Sequence, residues 1–169
     1  MQPPPRLLLA LLFSVGLSAA ISAPTPSAPV RVAQAATATL DKAITALKTS
    51  FPAAPTVTIP PFQRPGVSTV NKSRLIDPQN NPQMRDIYTK YQRAALTFQA
   101  RTLAQNIKAM RSDLARDIPF QQNLVKTSRP ESDSTRDQYF VSQANLDWLQ
   151  NQVTPWLEQA AALLPAGKG

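Results

Sequence analysis

The sequence predicts an all-α protein: a small antiparallel bundle of three to four helices, with a Pro-rich extended arm, after a signal peptide. Three observations predict it. Three long stretches repeat apolar residues at helical spacing. Seven of the 17 prolines fall between Pro52 and Pro82, which rules out a helix there. The chain opens with an apolar run behind a single charge, Arg6.

The opening run extends from Leu7 to about Ala23 and is diluted by Ser14, Gly16, Ser18 and Ser22. A spanning helix needs about 20 predominantly apolar residues. A basic start, an apolar centre and a small-x-small end describe a secretory signal peptide. Ala33-Gln34-Ala35 fits the cleavage rule and sets the signal peptide at residues 1–35, with Ser18-Ala19-Ala20 as an earlier option. An uncleaved amphiphilic anchor is the alternative. Export would place the rest in a periplasm or a thylakoid lumen, two addresses that the same kind of signal serves.

The first helix is expected over residues 36–51. Leu40, Ile44, Leu47 and Phe51 recur at intervals of 4, 3 and 4, with Thr39 as N-cap and Pro52 as stop. Residues 52–82 form the arm. Val57, Ile59, Phe62, Val67, Val70 and Ile76 offer it apolar anchors, and a flexible spacer is the alternative. The bundle core spans residues 83–165. Its long helix is expected from about Pro82 to Asp117, because no glycine or proline interrupts it. Met84, Ile87, Tyr88, Tyr91, Ala95 and Phe98 make one stripe. Leu96, Leu103, Ile107, Met110 and Leu114 make another, rotated by roughly a quarter turn. Asp117 and Pro119 then look like the start of a short helix.

The last helix is expected from about Ser134 to Leu164, with Ser134 and Asp137 as a capping box. Leu146, Leu149, Val153, Trp156, Ala160 and Leu163 carry its stripe across Pro155. That continuity favours one kinked helix over a new helix capped by Thr154. Trp156 is expected in the core, with Tyr88 and Tyr91, and Trp148 half buried at its edge. Residues 166–169 are a flexible tail.

Composition narrows the function. The chain has no cysteine and no histidine. Disulfides, lipoprotein acylation, thiolate metal sites and a Ser-His-Asp triad are therefore excluded, and the commonest metal ligand and general base are missing. No catalytic, cofactor-binding or metal site is expected. Asp113 and Asp117 stand i, i+4, and Glu131, Asp133 and Asp137 cluster before the last helix. Helix-end charge and capping explain both groups without a metal.

The net charge is +8; removing residues 1–35 leaves 16 basic side chains against 10 acidic ones. Such an excess points to acidic proteins, anionic lipid or nucleic acid, and export removes the last. On the expected long helix Lys90, Arg93, Arg101, Lys108 and Arg111 fall within an arc of about 80°. Such a row would dock on an acidic surface; a solvated face is the other explanation.

The last helix, DQYFVSQANLDWLQNQV, with Leu164-Pro165 beyond it, resembles the final helix of the PsbQ-type extrinsic subunits of photosystem II. The likeness covers about a third of the chain after residue 35. The lipoprotein cysteine of bacterial members and the family's helix-opening Gly-Pro pair are both missing. The resemblance implies a lumen-facing accessory protein that supports water oxidation without holding the metal cluster. The expected function is thus an exported, non-catalytic accessory or assembly subunit docking on an acidic surface of a membrane complex. A periplasmic holdase-type chaperone and a peripheral anionic-lipid binder are the alternatives.

Overall fold

A computed structural model of the chain describes residues 28–68 and 70–165. It is mostly helical. The expected export segment lies outside the described residues up to position 27, as does the tail from 166. Helix α1 spans Ala28–Thr49. It begins eight residues before the expected start, so Thr39 lies inside it rather than at its N-cap, and Ala35 and Ala36 are helical too. Ile44 and Leu47 are buried as the spacing predicts, and Leu40 and Phe51 pack against the same core.

The arm is a hairpin. Strands β1 (Val57–Ile59) and β4 (Arg74–Ile76) pair antiparallel, as do β2 (Phe62–Gln63) and β3 (Val70–Asn71). Gly66, near the tip, takes φ +79°, a conformation that costs glycine nothing. Ile59 and Ile76 point inward and form a small core with Met84 and Val141. The hairpin ends in a turn built by Asp77, whose carboxylate accepts from the backbone N–H of Gln79 at 2.8 Å.

Helix α2 (Pro82–Leu96) starts where the sequence signals it. The Asn81 side chain accepts from the Met84 N–H at 3.0 Å, and Pro82 occupies the first turn. The expected single long helix is broken at Thr97–Thr102, and α3 resumes over Leu103–Thr127. The reason is packing. Phe98 and Leu103 are both fully buried. In one continuous helix, five residues apart, they would point about 140° away from each other. The break turns both inward, and Asn106 ties it by donating to the Thr97 carbonyl at 2.9 Å. Pro119 starts no short helix. It lies inside α3, on an exposed turn where water can reach the carbonyl that its missing N–H leaves unpaired.

Helix α4 (Arg136–Trp148) runs through a π-turn over Leu149–Val153 into α5 (Thr154–Ala161). The helix thus carries on past Pro155, as its stripe predicts. The device is a wider turn: the Thr154 hydroxyl and N–H both bond the Leu149 carbonyl. The capping box does not form. Thr135 is the N-cap, Ser134 pairs with Ser132, and Asp137 reaches the hairpin instead.

The extra residue of the π-turn lets Trp148, Leu149, Val153, Trp156 and Leu157 all face the core. Trp148 is 1% exposed and therefore not half buried. Its indole N–H donates to the Ala53 carbonyl at 2.7 Å, and that of Trp156 donates to the Leu47 carbonyl at 3.0 Å. Phe51 packs edge-on against Trp156, with ring centroids 5.0 Å apart. Tyr91 is buried as expected; Tyr88 is half buried against Trp148.

Trp148→Phe removes one bond and part of a ring. It should lower stability by about 2 kcal/mol in urea unfolding; a loss near zero would mean that the indole bond does not anchor the segment after α1. Asn145, fully buried on α4, has no partner for either amide atom among the described residues. Asn145→Leu should raise stability by about 1 kcal/mol. A fall instead would show that an internal water satisfies the amide.

Candidate docking surface

The five basic residues of the expected row fall on two helices and the turn between them. Lys90 and Arg93 are on α2, Arg101 is in the turn, and Lys108 and Arg111 are on α3. They therefore do not form a single line along one helix. They also divide by partner.

Lys90 is engaged within the fold. Its ammonium lies 2.5 Å from Asp117 and 3.2 Å from Asp113, across the α2–α3 interface. Asp113 and Asp117 thus both pair with this lysine. Tyr91 donates its hydroxyl to Asp117 at 3.0 Å, and Arg116 pairs with both carboxylates. Burial alone would raise the Asp117 carboxyl. The hydrogen bonds from Lys90 and Tyr91, the charge of Lys90 and the bond from Arg116 outweigh it and hold the carboxyl below its ordinary range. The Tyr91 phenol is pushed far up, by burial first and by Asp117 second. Arg111 is also taken: its guanidinium meets both carboxylate oxygens of Glu158 on α5, at 2.8 and 3.1 Å.

Arg93, Arg101 and Lys108 differ. All three are exposed, and none has a carboxylate partner among the described residues. Arg93 sits in the last turn of α2, where a cation complements the helix dipole. Arg101 and Lys108 follow on the far side of the break. Leu96, which the periodicity put on an apolar stripe, is 59% exposed among them. The surface around the 97–102 turn is thus cationic with one aliphatic side chain at its centre of sequence. Arg85 was not singled out from the sequence. It stands two turns before Arg93 on α2, with Thr89 between them, and these three line a shallow depression of about 370 Å³ with Asp86 and Lys90. Its i, i+4, i+8 spacing with Thr89 and Arg93 was the available signal.

Among the described residues no three acidic side chains gather to hold a metal, and no helix is long and apolar enough to cross a membrane. The arrangement can attract and orient anionic groups.

The depressed Asp117 carboxyl has a signed consequence. Its stabilisation is present above the ordinary carboxylate value and is lost as pH falls through the lower folded value. Asp117→Asn should cost about 2 kcal/mol at pH 7 and flatten the loss of stability below about pH 4. Urea midpoints of the two proteins between pH 7 and pH 2 check this, and parallel curves would refute it. Comparison of the chain with protein-family models, with curated proteins and with solved structures finds no match.

Proposed function

We propose that the chain is an exported, non-catalytic accessory or assembly subunit that docks on an acidic surface of a membrane complex, in a periplasm or a thylakoid lumen. The observation that carries this reading is the division of the basic residues. Lys90 and Arg111 are paired with carboxylates of the same chain, whereas Arg93, Arg101 and Lys108, on either side of and within the α2–α3 turn, are exposed and have no carboxylate partner among the described residues. Exposed cations without counter-charges contribute little to folding, and a partner's carboxylates give them a use. The likeness of DQYFVSQANLDWLQNQV to a photosystem II extrinsic subunit suggests one such complex.

The surface is built for electrostatic docking. Exposed charges act over roughly 8–10 Å at physiological salt. They speed association and set orientation more than they add affinity. Leu96, exposed at the end of α2 three residues beyond Arg93, offers one apolar contact.

Reversing Arg93, Arg101 and Lys108 together to Glu should abolish retention on native membranes at low salt, by at least about 100-fold. Circular dichroism should be unchanged, because none of the three holds an ion pair in the fold. The wild-type protein should come off the membranes as salt rises, together with one large complex in cross-linking. Full retention of the triple variant would overturn the reading. Recovery of the wild-type protein free, with many unrelated clients, would replace it with a chaperone.

A further inference from the structure

A second cationic feature lies on the hairpin, away from the α2–α3 turn in sequence. From Lys42 to Ile76 the chain has five basic residues and no acidic one. Three of them, Arg64, Lys72 and Arg74, line a cleft of about 420 Å³ between the hairpin and the start of α4. That volume is within the range of small ligand sites.

The cleft has a fixed wall and a loose one. Arg136 makes the fixed wall. Its guanidinium lies over the rings of Phe62 and Phe140, at 4.7 and 5.1 Å, and donates to the carbonyls of Pro60 (3.0 Å) and Pro130. Two rings and two carbonyls thus hold its positive charge in place. The loose wall is held by two ion pairs, Arg64 with Asp133 and Arg74 with Asp137. Both pairs are exposed, and such pairs contribute at most about 1 kcal/mol each. They exchange readily for another carboxylate. Asn71 and Lys72, also on the lining, have no side-chain partner among the described residues. Four cations face two aspartates, so the cleft keeps two positive charges uncompensated. Ile59, Pro60 and Phe62 give it an apolar side.

We infer that this cleft grips an acidic peptide segment of the docking partner, with Lys72 and Asn71 binding a carboxylate that enters beside Arg136. The inference rests on the docking reading and makes the hairpin its second point of attachment. Charge selects the occupant, since a carboxylate finds donors at Lys72, Asn71, Arg64 and Arg74. The apolar side favours a peptide over a bare ion, because Pro60 and Phe62 can cover the stem of a glutamate.

The probe is N-acetyl-hexaglutamate, added to the 15N-labelled chain at 150 mM salt. Saturable shifts should centre on residues 59–64, 71–74 and 133–137. Lys72→Glu, an exposed change with no ion pair to break, should weaken this binding at least tenfold, and Lys72→Ala less. The triple variant at Arg93, Arg101 and Lys108 should bind hexaglutamate at the cleft within twofold of wild type. Shifts confined to the α2–α3 turn, or no effect of Lys72→Glu, overturn the inference. Equal binding of inorganic phosphate overturns it in favour of a simple anion site, and binding of anionic vesicles without the peptide overturns it in favour of lipid. If the triple variant leaves the membranes while the cleft ignores the peptide, the cleft inference fails and the docking reading stands. If the cleft binds and the triple variant still docks, the reverse holds.

Discussion

The fold turns on two indole N–H groups. Trp148 and Trp156 stand eight residues apart on the last helical run and reach carbonyls at Ala53 and Leu47. Those carbonyls flank the point where α1 ends and the Pro-rich segment begins. A buried indole N–H without an acceptor would be costly, so each bond specifies where α1 must end. Phe51 stands between the two acceptors in sequence and packs edge-on against both tryptophans. The same ring cluster takes in Tyr88 and Tyr91 of α2 and, through Trp156, Phe98 at the break. Three segments distant in sequence therefore share one apolar centre. The π-turn is what lets Trp148 and Trp156 face it together, by adding one residue between them.

The polar groups at the α2–α3 interface answer to the same need for satisfaction. Lys90, Tyr91, Asp113, Asp117 and Arg116 form a charge-balanced set in which the tyrosine is buried and the carboxylates are mostly covered. A buried charge is tolerated when paired and hydrogen-bonded. A neighbouring network of Gln83, Gln121, Gln138 and Ser142 joins α2, α3 and α4 through amide and hydroxyl groups. Asn145 stands one turn beyond Ser142 and stays outside that network. Two helices that meet through such groups have one relative placement, because sliding by a turn would strand every donor.

The sequence made the helical elements legible where periodicity and capping agree. Ile44 and Leu47, Met84 and Tyr91, and Ile107, Met110 and Leu114 are buried at their expected spacing. The helix expected from about Pro82 starts there, capped by Asn81. The break at 97–102 was invisible to a search for glycine and proline. Its trace was the rotation between the two stripes, which one bent helix explained equally well. Only the burial of both Phe98 and Leu103 decides between them. The hairpin was hidden because strands of two or three residues leave no alternation to count. Its prolines excluded a helix but did not announce a sheet. The basic row failed as a line because it assumed one unbroken axis. Its partners, Asp113, Asp117 and Glu158, were in plain view, but pairing them needed the fold.

The division of cations follows from where each backbone position leads. Lys90, at the α2–α3 seam, meets two carboxylates across it. Arg93 on α2, Arg101 in the turn and Lys108 on α3 are all exposed to water, so nothing in folding demands a counter-charge for them. Solvation makes them cheap to keep and their mutual repulsion is screened. Their persistence as an unbalanced group is therefore independent of the core that places them. The hairpin shows the opposite arrangement, with Arg64 and Arg74 latched to Asp133 and Asp137 and Arg136 clamped between rings. On the proposed docking reading, a partner at the turn would meet open charge, whereas one at the hairpin would displace weak, readily exchanged pairs. The first contact would set the rate of encounter and its salt dependence, and the second would add a further point of attachment.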